Sequence, residues 1–459
     1  MERAYNLPQR SFQRKFVSYS PPKNRFEVLQ RIEFEEALEP SDPRNVDTSA
    51  ARGSENTIGT LAAKFGLDLK GTFFFPPAKK HVLFFGHIGC GKSTELRRYA
   101  KELAGAKRFF VVHFDISAEL DRNNLQYADV LMALAKRLLE SLHSNQISLP
   151  AATLEPLEKW FTEQVLTEER QKELSLKLES GASVHGGIPY LVSLFAKFTT
   201  AFRANTTYKE SFRKAVRNNF TQFAQAFNPF LGAAEHALQQ AGKGQRVLFI
   251  VDGTDKLRSE DCIQFFITDA SQLLEIEALL VYTAPLSMKF EGAFPAQLDA
   301  ELVLPMIKLN DLDGRPFPAG RKALRDMLLL RADRSLFADD AVITALIEAS
   351  GGHPRELLRL LKLCCELLDD GKIDQALAAK AIDKLANEYR RFLTAEDYAL
   401  LVAEDRNRKA VETQGRAHKL LNNLALLEYN DGSWRRSHPV VRTLEGYQLA
   451  AEANLVKEA

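Results

Sequence analysis

The sequence predicts an α/β fold: a parallel five-stranded sheet with a helical insertion, followed by an α-helical lid and a C-terminal winged-helix domain. Three observations carry this reading. Short apolar runs without a polar face alternate with helix-length amphipathic stretches, the order that builds a parallel sheet covered on both faces. One run, Val82–Phe85, opens directly into Gly86-x-x-x-x-Gly91-Lys92-Ser93, with the helix-compatible TELRRYAKEL behind it. Another, Leu248–Val251, ends on Asp252.

The glycine-rich loop is a Walker A phosphate loop by pattern and by its strand-before, helix-after context. A chain of this length produces the pattern by chance on the order of one time in a hundred. Gly86, Gly89 and Gly91 let successive N–H groups ring a di- or triphosphate, and the following helix aims its positive dipole end at the same anion. Cys90 and Thr94 complete the binding stretch. Lys92 is expected on the β/γ-phosphates and Ser93 on Mg²⁺. The core is therefore expected to be that of a P-loop NTPase with ATP or ADP and Mg²⁺ as its ligands.

Residues 1–46 are polar and proline-rich and read as an irregular leader, with a short helix expected over Phe26–Ala37. The nucleotide-binding domain is expected over 47–319. Its opening, Asp47–Leu69, carries Thr48, Arg52 and the helix-like TIGTLAAKFGL; it either lies across the nucleotide base or packs as a plain helix. The second strand is Phe109–Ile116, followed by the amphipathic YADVLMALAKRLLESL. The apolar runs within Val247–Asp255, Ala278–Pro285 and Leu302–Leu309 complete the sheet. Between Lys92 and Asp252 lie far more residues than the thirty-odd of a βαβ unit, so 150–242 is read as a helical insertion. There Leu191, Leu194, Phe195, Phe198 and Phe202 share one stripe. Packing within the insertion is preferred to docking on a membrane, because Lys197 and Arg203 alone make a weak basic face.

From Gly320 the pattern is helical only, and a lid is expected over 320–390. Residues 391–459 hold HKLLNNLALLEY and then NDGSWRRSHPVV, an apolar helix followed by an Asn-Asp-Gly turn between short strands, the pattern of a winged helix.

Phosphate binding alone hydrolyses nothing; a strand-end acid is also needed, and Asp252 is the Walker B candidate for holding Mg²⁺ beside Ser93. Asp255 is the carboxylate best placed to orient an attacking water, or else it caps the next helix. Thr283, at the end of the next strand, either contacts the γ-phosphate or is a satisfied strand-end threonine. In the lid, Gly351-Gly352-His353-Pro354-Arg355-Glu356 opens a helix, which aims Pro354 and Arg355 at the domain junction or is ordinary helix-start chemistry.

With 45% hydrophobic and 26% charged residues the composition is that of a globular protein. Sixty-one basic against sixty acidic residues announce no nucleic acid. The four cysteines, Cys90, Cys262, Cys364 and Cys365, have no metal-knuckle spacing. Cys90 is either redox-sensitive or a loop filler. The start MERAYNLPQRSFQRKF lacks an apolar signal region and no uncharged run spans a bilayer, so a cytoplasmic location is expected and membrane association is not.

With GHIGCGKSTEL, LFIVDGTDKL, VYTAP, GGHPRELLRLL and LLNNLALLEYNDGSWRRSHPVVR in this order, the chain resembles the STAND class of signal-transduction ATPases, relatives of AAA+ and origin-recognition ATPases, over about 47–445. The resemblance implies a switch closed on ADP and opened with ATP to assemble with copies or protein partners, with a bacterial stress or anti-phage setting. It implies Lys92 and Ser93 as Walker A residues, Asp252 on Mg²⁺, Asp255 as the second acid of a DGxD pattern and Pro354 near adenine. Arg355 resembles a sensor-2 arginine and His438 a winged-helix histidine that contacts the β-phosphate of ADP. Two departures stand out: no arginine follows the VYT strand end, which argues against γ-phosphate sensing by that route, and Lys256 stands where a second acid often follows the DGxD, so slow hydrolysis is expected. No repeats of a sensor type follow the winged helix, and no effector domain is recognisable at the N-terminus, so a partner, the insertion or the leader would supply signal and output. An origin-recognition-like DNA-binding ATPase is the alternative, resting on Arg406, Arg408, Lys409, Arg416, Lys419, Arg435 and Arg436.

Overall fold

The computed structural model of the chain describes residues 19–53, 57–71, 73–116, 126–165, 187–204, 206–257, 259–290, 294–407, 415–430 and 432–458. Asn24 caps α1 (Arg25–Arg31) by accepting the Glu27 N–H. This helix stops six residues short of the expected Ala37. Glu33, Glu35 and Glu36 would crowd its negative dipole end, and the chain instead turns extended at Ile32. Two short helices follow, α2 (Ser49–Arg52) and α3 (Thr57–Lys64).

The sheet then forms from β1 (Lys80–Gly86), β2 (Phe109–Asp115), β3 (Arg246–Asp252), β4 (Leu279–Pro285) and β5 (Leu298–Val303). Their order is β2-β3-β4-β1-β5, and every pairing is parallel. All of β4 and all but the first residue of β1 are buried, which explains why both runs lack a polar face. Parallel register brings Gly86 opposite Pro285 and Asp115 opposite Asp252, so the loop and the acids leave the sheet at one edge. β5 lies four residues earlier than Leu302–Leu309 suggested; Leu304 still donates to Phe85 O, but Pro305 has no N–H to continue the ladder.

α4 (Lys92–Leu103) follows β1 and α5 (Tyr127–Ser144) follows β2. The insertion consists of α6 (Ala151–Val165), α7 (Ile188–Ala204), α8 (Thr206–Asn218) and α9 (Phe220–Gln240). Leu191, Leu194, Phe195 and Phe198 are all at most 3% exposed, and Phe161 packs edge-on against Phe195 at 4.5 Å. Their face is consumed inside the insertion; the Phe202 side chain lies outside the described residues. Asp129 joins α5 to α8 through a buried ion pair with Arg213. α10 (Ser259–Ile263) and α11 (Ala270–Leu273) lead into β4.

Four helices come next, α12 (Pro318–Leu329), α13 (Asp340–Ala349), α14 (Pro354–Leu367) and α15 (Gln375–Arg390). The C-terminal part holds α16 (Ala395–Arg406), α17 (Arg416–Asn422), the antiparallel hairpin β6 (Leu426–Tyr429) and β7 (Trp434–Ser437), and α18 (Glu445–Glu458). Arg435, counted among the cations for DNA, is 2% exposed and ion-paired with Glu428 opposite it in the hairpin. It faces inward because β-strand side chains alternate. Arg408 and Lys409 lie outside the described residues. No helix among the described residues is long and apolar enough to cross a membrane.

Candidate functional site: the phosphate-loop cleft

The chain leaves β1 at Gly86 through a turn in which Gly89 and Gly91 have φ of +85° and +103°, values that other residues adopt only with strain. Gly89 is constrained twice, since a Cβ there would stand 2.7 Å from Arg355 Nε. α4 begins at Lys92, so its free N–H groups and positive end face the loop.

Lys92 Nζ donates to the Gly86 and His87 carbonyls at 2.9 and 3.0 Å and pairs with Asp255 Oδ2 at 2.8 Å. Burial opposes the Lys92 charge most strongly, but Asp255 and the other neighbours, Asp252 among them, together outweigh it, so the ammonium holds its proton more tightly than a free lysine. Burial opposes the Asp255 charge too, and Lys92 holds that carboxyl below its ordinary range. Thr283 is fully buried; its hydroxyl donates to Asp255 Oδ1 at 3.2 Å and accepts the Asp255 N–H at 3.3 Å. Its hydroxyl thus holds the Asp255 carboxylate in place.

Asp252 is 3% exposed. Burial and then the Asp255 charge push its carboxyl up to about 6, against the pull of the Ser93 hydroxyl and the Gly253 N–H. A hydroxyl beside a carboxylate that is ionised reluctantly is a hard-oxygen donor set suited to Mg²⁺, whose charge would restore the ionised form. Among the described residues no group of three or more His, Cys, Asp or Glu side chains is arranged to hold a metal, so the chain would contribute Ser93 and Asp252 and little more. Asp115, opposite Asp252, escaped the sequence reading although its signal is the same, an apolar run ending in Asp.

Arg52, from α2, is buried beneath the loop: Nη2 donates to Cys90 O at 2.7 Å, Nε to Thr48 Oγ1 at 2.9 Å, and Nη1 to Pro305 O. Thr48 Oγ1 in turn donates to Glu95 Oε1 at 2.7 Å. In the segment after Asp47, α2 braces the loop and α3 packs against the sheet through Ile58 and Leu61, as the plain-helix reading expects of α3. Cys90 is fully buried, as a filler would be.

Two histidines missed as site residues tie the loop to distant parts of the chain. His353 caps α14, its Nδ1 accepting the Glu356 N–H at 3.2 Å; Nε2 then carries the proton and lies 3.0 Å from the Ile88 carbonyl. His87 Nε2 accepts the Glu428 N–H of β6 at 2.9 Å. Both sat inside quoted motifs, GHIGCGKST and GGHPRE, whose glycines and lysine drew the reading. His438, expected on the phosphates, does not line the cleft. It is fully buried and stacks on Tyr389 of α15 with ring centres 5.0 Å apart, because the Ser437-His438-Pro439 turn packs inward.

The cleft encloses about 1080 Å³ counting its open mouth. Gly89, Cys90, Gly91, Lys92, Ser93 and Thr94 line it, as do Asp255, Pro354 and Arg355. The leader lines it as well, from Arg31 to Leu38. Leu38 N–H donates to Thr94 Oγ1 at 3.2 Å, and Glu35 reaches Lys256 Nζ at 3.2 Å and Arg355 Nη2 at 3.5 Å. Arg355 Nε is buried with no partner.

A Walker A loop between β1 and α4, with acids at the same edge of a five-stranded parallel sheet, decides the architecture. The fold is that of a P-loop NTPase. No protein-family model matches the chain, and no curated protein matches it. Among solved structures it is similar to a Walker-type ATPase of Pyrococcus abyssi (13% identity, 89% of this chain and 98% of that one, TM-score 0.40). It is also similar to the ORC2 protein of Aeropyrum pernix in ADPNP and ADP complexes (12%, 92% and 98%, 0.37). A third similar structure is a variant of RuvB from Thermotoga maritima (12%, 87% and 97%, 0.33).

Proposed function

We propose that this protein is an ATP- and ADP-binding switch that hydrolyses ATP slowly and changes conformation or assembly between nucleotide states to regulate partner proteins. The observation that carries the reading is that one loop, Gly86–Lys92, which holds the Walker A glycines and lysine, is also the junction at which the sheet, the helices after 318 and the C-terminal hairpin are bonded together. The resemblance to STAND ATPases supports the switch, and it alone supplies the stress or anti-phage setting.

In this reading the backbone N–H groups of 89–93 and Lys92 hold the phosphates, Arg355 neutralises them from α14, and Pro354 borders the base. Ser93 and Asp252 hold Mg²⁺, which supplies charge neutralisation at the phosphates. Lys92 exchanges its contact with Asp255 for phosphate oxygens, and the freed carboxylate, kept in place by Thr283, orients water. Calorimetric titration with ATP and ADP in Mg²⁺ tests the first step; a chain with no affinity for either sinks the proposal. The DNA-binding alternative loses Arg435 to its buried pair.

The leader sets a second expectation. Glu35 places a carboxylate on Lys256 and Arg355, where an anionic ligand would compete with it. Removing one exposed like charge is worth roughly 1 kcal/mol. Glu35→Ala should therefore tighten ATP binding about threefold to tenfold; unchanged or weaker binding would count against the contact.

A further inference from the structure

We propose that the chain holds a second anion site, apart from the phosphate loop, that takes a phosphate-sized tetrahedral oxyanion between Arg436 and Arg442. The pocket has about 350 Å³ counting its mouth, a third of the 1080 Å³ of the phosphate-loop cleft, and so can admit a single phosphoryl group. Its wall combines Asn310 from the chain leaving β5, Glu348 and Gly351 from the end of α13, and Trp434, Arg436 and Arg442 from the hairpin and the turn after it.

No carboxylate is paired directly with either arginine of this wall, although the Asp405 charge acts on Arg442 from nearby. Among the described residues neither guanidinium makes an ion pair or side-chain hydrogen bond, and Arg442 Nε is buried without a partner. Trp434 Nε1 is a second buried donor with nothing to donate to. The carboxylates nearby are already engaged. Glu348 pairs with Arg321; Asp405 accepts the Ser437 N–H at 2.8 Å and the Tyr447 hydroxyl at 2.6 Å. Burial and then the Arg436 charge make Arg442 hold its proton more loosely than a free arginine, the cost of setting two cations together. Guanidinium forks and N–H donors converging on a small space match the oxygens of phosphate or sulfate.

The second fact is where the wall comes from. Tyr429 donates to Gly351 O at 2.6 Å and stacks on Trp434 at 4.1 Å, so the pocket exists only while the hairpin sits against the sheet and α13. Anything bound there favours that closed arrangement by mass action.

Trp434 makes the test local, since the only other tryptophan, Trp160, lies in the insertion. Inorganic phosphate is titrated into the full chain at constant ionic strength while tryptophan fluorescence is followed. A saturable change is expected, and it should persist in Lys92→Ala/Asp255→Asn, where the phosphate loop cannot respond. The dissociation constant should rise about tenfold or more in Arg442→Gln and in the half-exposed Arg436→Gln. Glycerol 3-phosphate binding more tightly than inorganic phosphate assigns the site to a phosphate monoester, and equal binding assigns it to the free anion. No saturable change, or wild-type affinity in both arginine variants, overturns the site, as would a response to duplex DNA without one to phosphate.

Discussion

Lys92→Ala is expected to weaken ATP and ADP binding about a hundredfold, the scale of charge-assisted bonds to phosphate. It should also destabilise the protein without nucleotide. Lys92 and Asp255 form a pair with side chains 3% and 7% exposed, and removing one member leaves a buried charge unpaired, a cost of about 3–5 kcal/mol. That is a large part of a typical stability of about 5–15 kcal/mol. The two losses separate in Lys92→Ala/Asp255→Asn, which removes the stranded charge: stability should return and affinity should not. Urea unfolding alongside nucleotide titration checks both. A single variant as stable as the wild type would show that the pair is not buried as described, and full affinity in the double variant would remove Lys92 from the site.

Acid is expected to have the second large effect, because the junction is built on neutral histidines. Burial, and then Lys92, hold His87 down to about 3. Burial, and then Arg442 and Arg359, hold His438 down to about 3. His353 lies well below its ordinary value through burial, His87 and Arg355. Each folded value is below the unfolded one near 6.5, so between these limits the unfolded chain binds more protons. Stability is therefore complete above about pH 6.5 and falls as pH drops through the window toward 3. At pH 5 His87 and His438 each contribute a loss of about 2 kcal/mol, roughly 4 kcal/mol for the two as an upper bound, and His353 acts in the same direction. Asp252, raised to about 6, works in the opposite direction by about 1 kcal/mol, because its folded form gains the proton first. His87→Gln keeps an acceptor for the Glu428 N–H but cannot titrate, and it should lower the proton uptake on unfolding by about one. Stability unchanged from pH 7.5 to 5 would contradict the histidine junction.

The sequence was most legible where local pattern and tertiary role coincide. Val82–Phe85 and Leu248–Val251 are apolar throughout because both faces of β1 and β3 are covered, and the glycine spacing of the loop states its backbone demands directly. The insertion's phenylalanine stripe could be read as core for the same reason. What stayed hidden depends on residues far apart in the chain. Glu35 meets Arg355 across 320 positions, and nothing in EFEEAL says that it lies along a cleft. Arg435 and Arg436 look alike in SWRRSHP, yet alternation along β7 buries one and leaves the other at a pocket. His438 was placed by resemblance on the phosphates, whereas His87 and His353 are the histidines that bond across the loop.

Hydrogen exchange at the Glu428 amide tests the central claim most directly, because that N–H donates to His87 inside the phosphate loop and reports whether the hairpin is seated there. With ADP bound the amide should exchange slowly. With a non-hydrolysable ATP analogue it should exchange at least about tenfold faster, as the hairpin leaves the loop. Equal protection in the two nucleotide states would mean that the loop binds its ligand without acting as a clasp, and the switch would be lost.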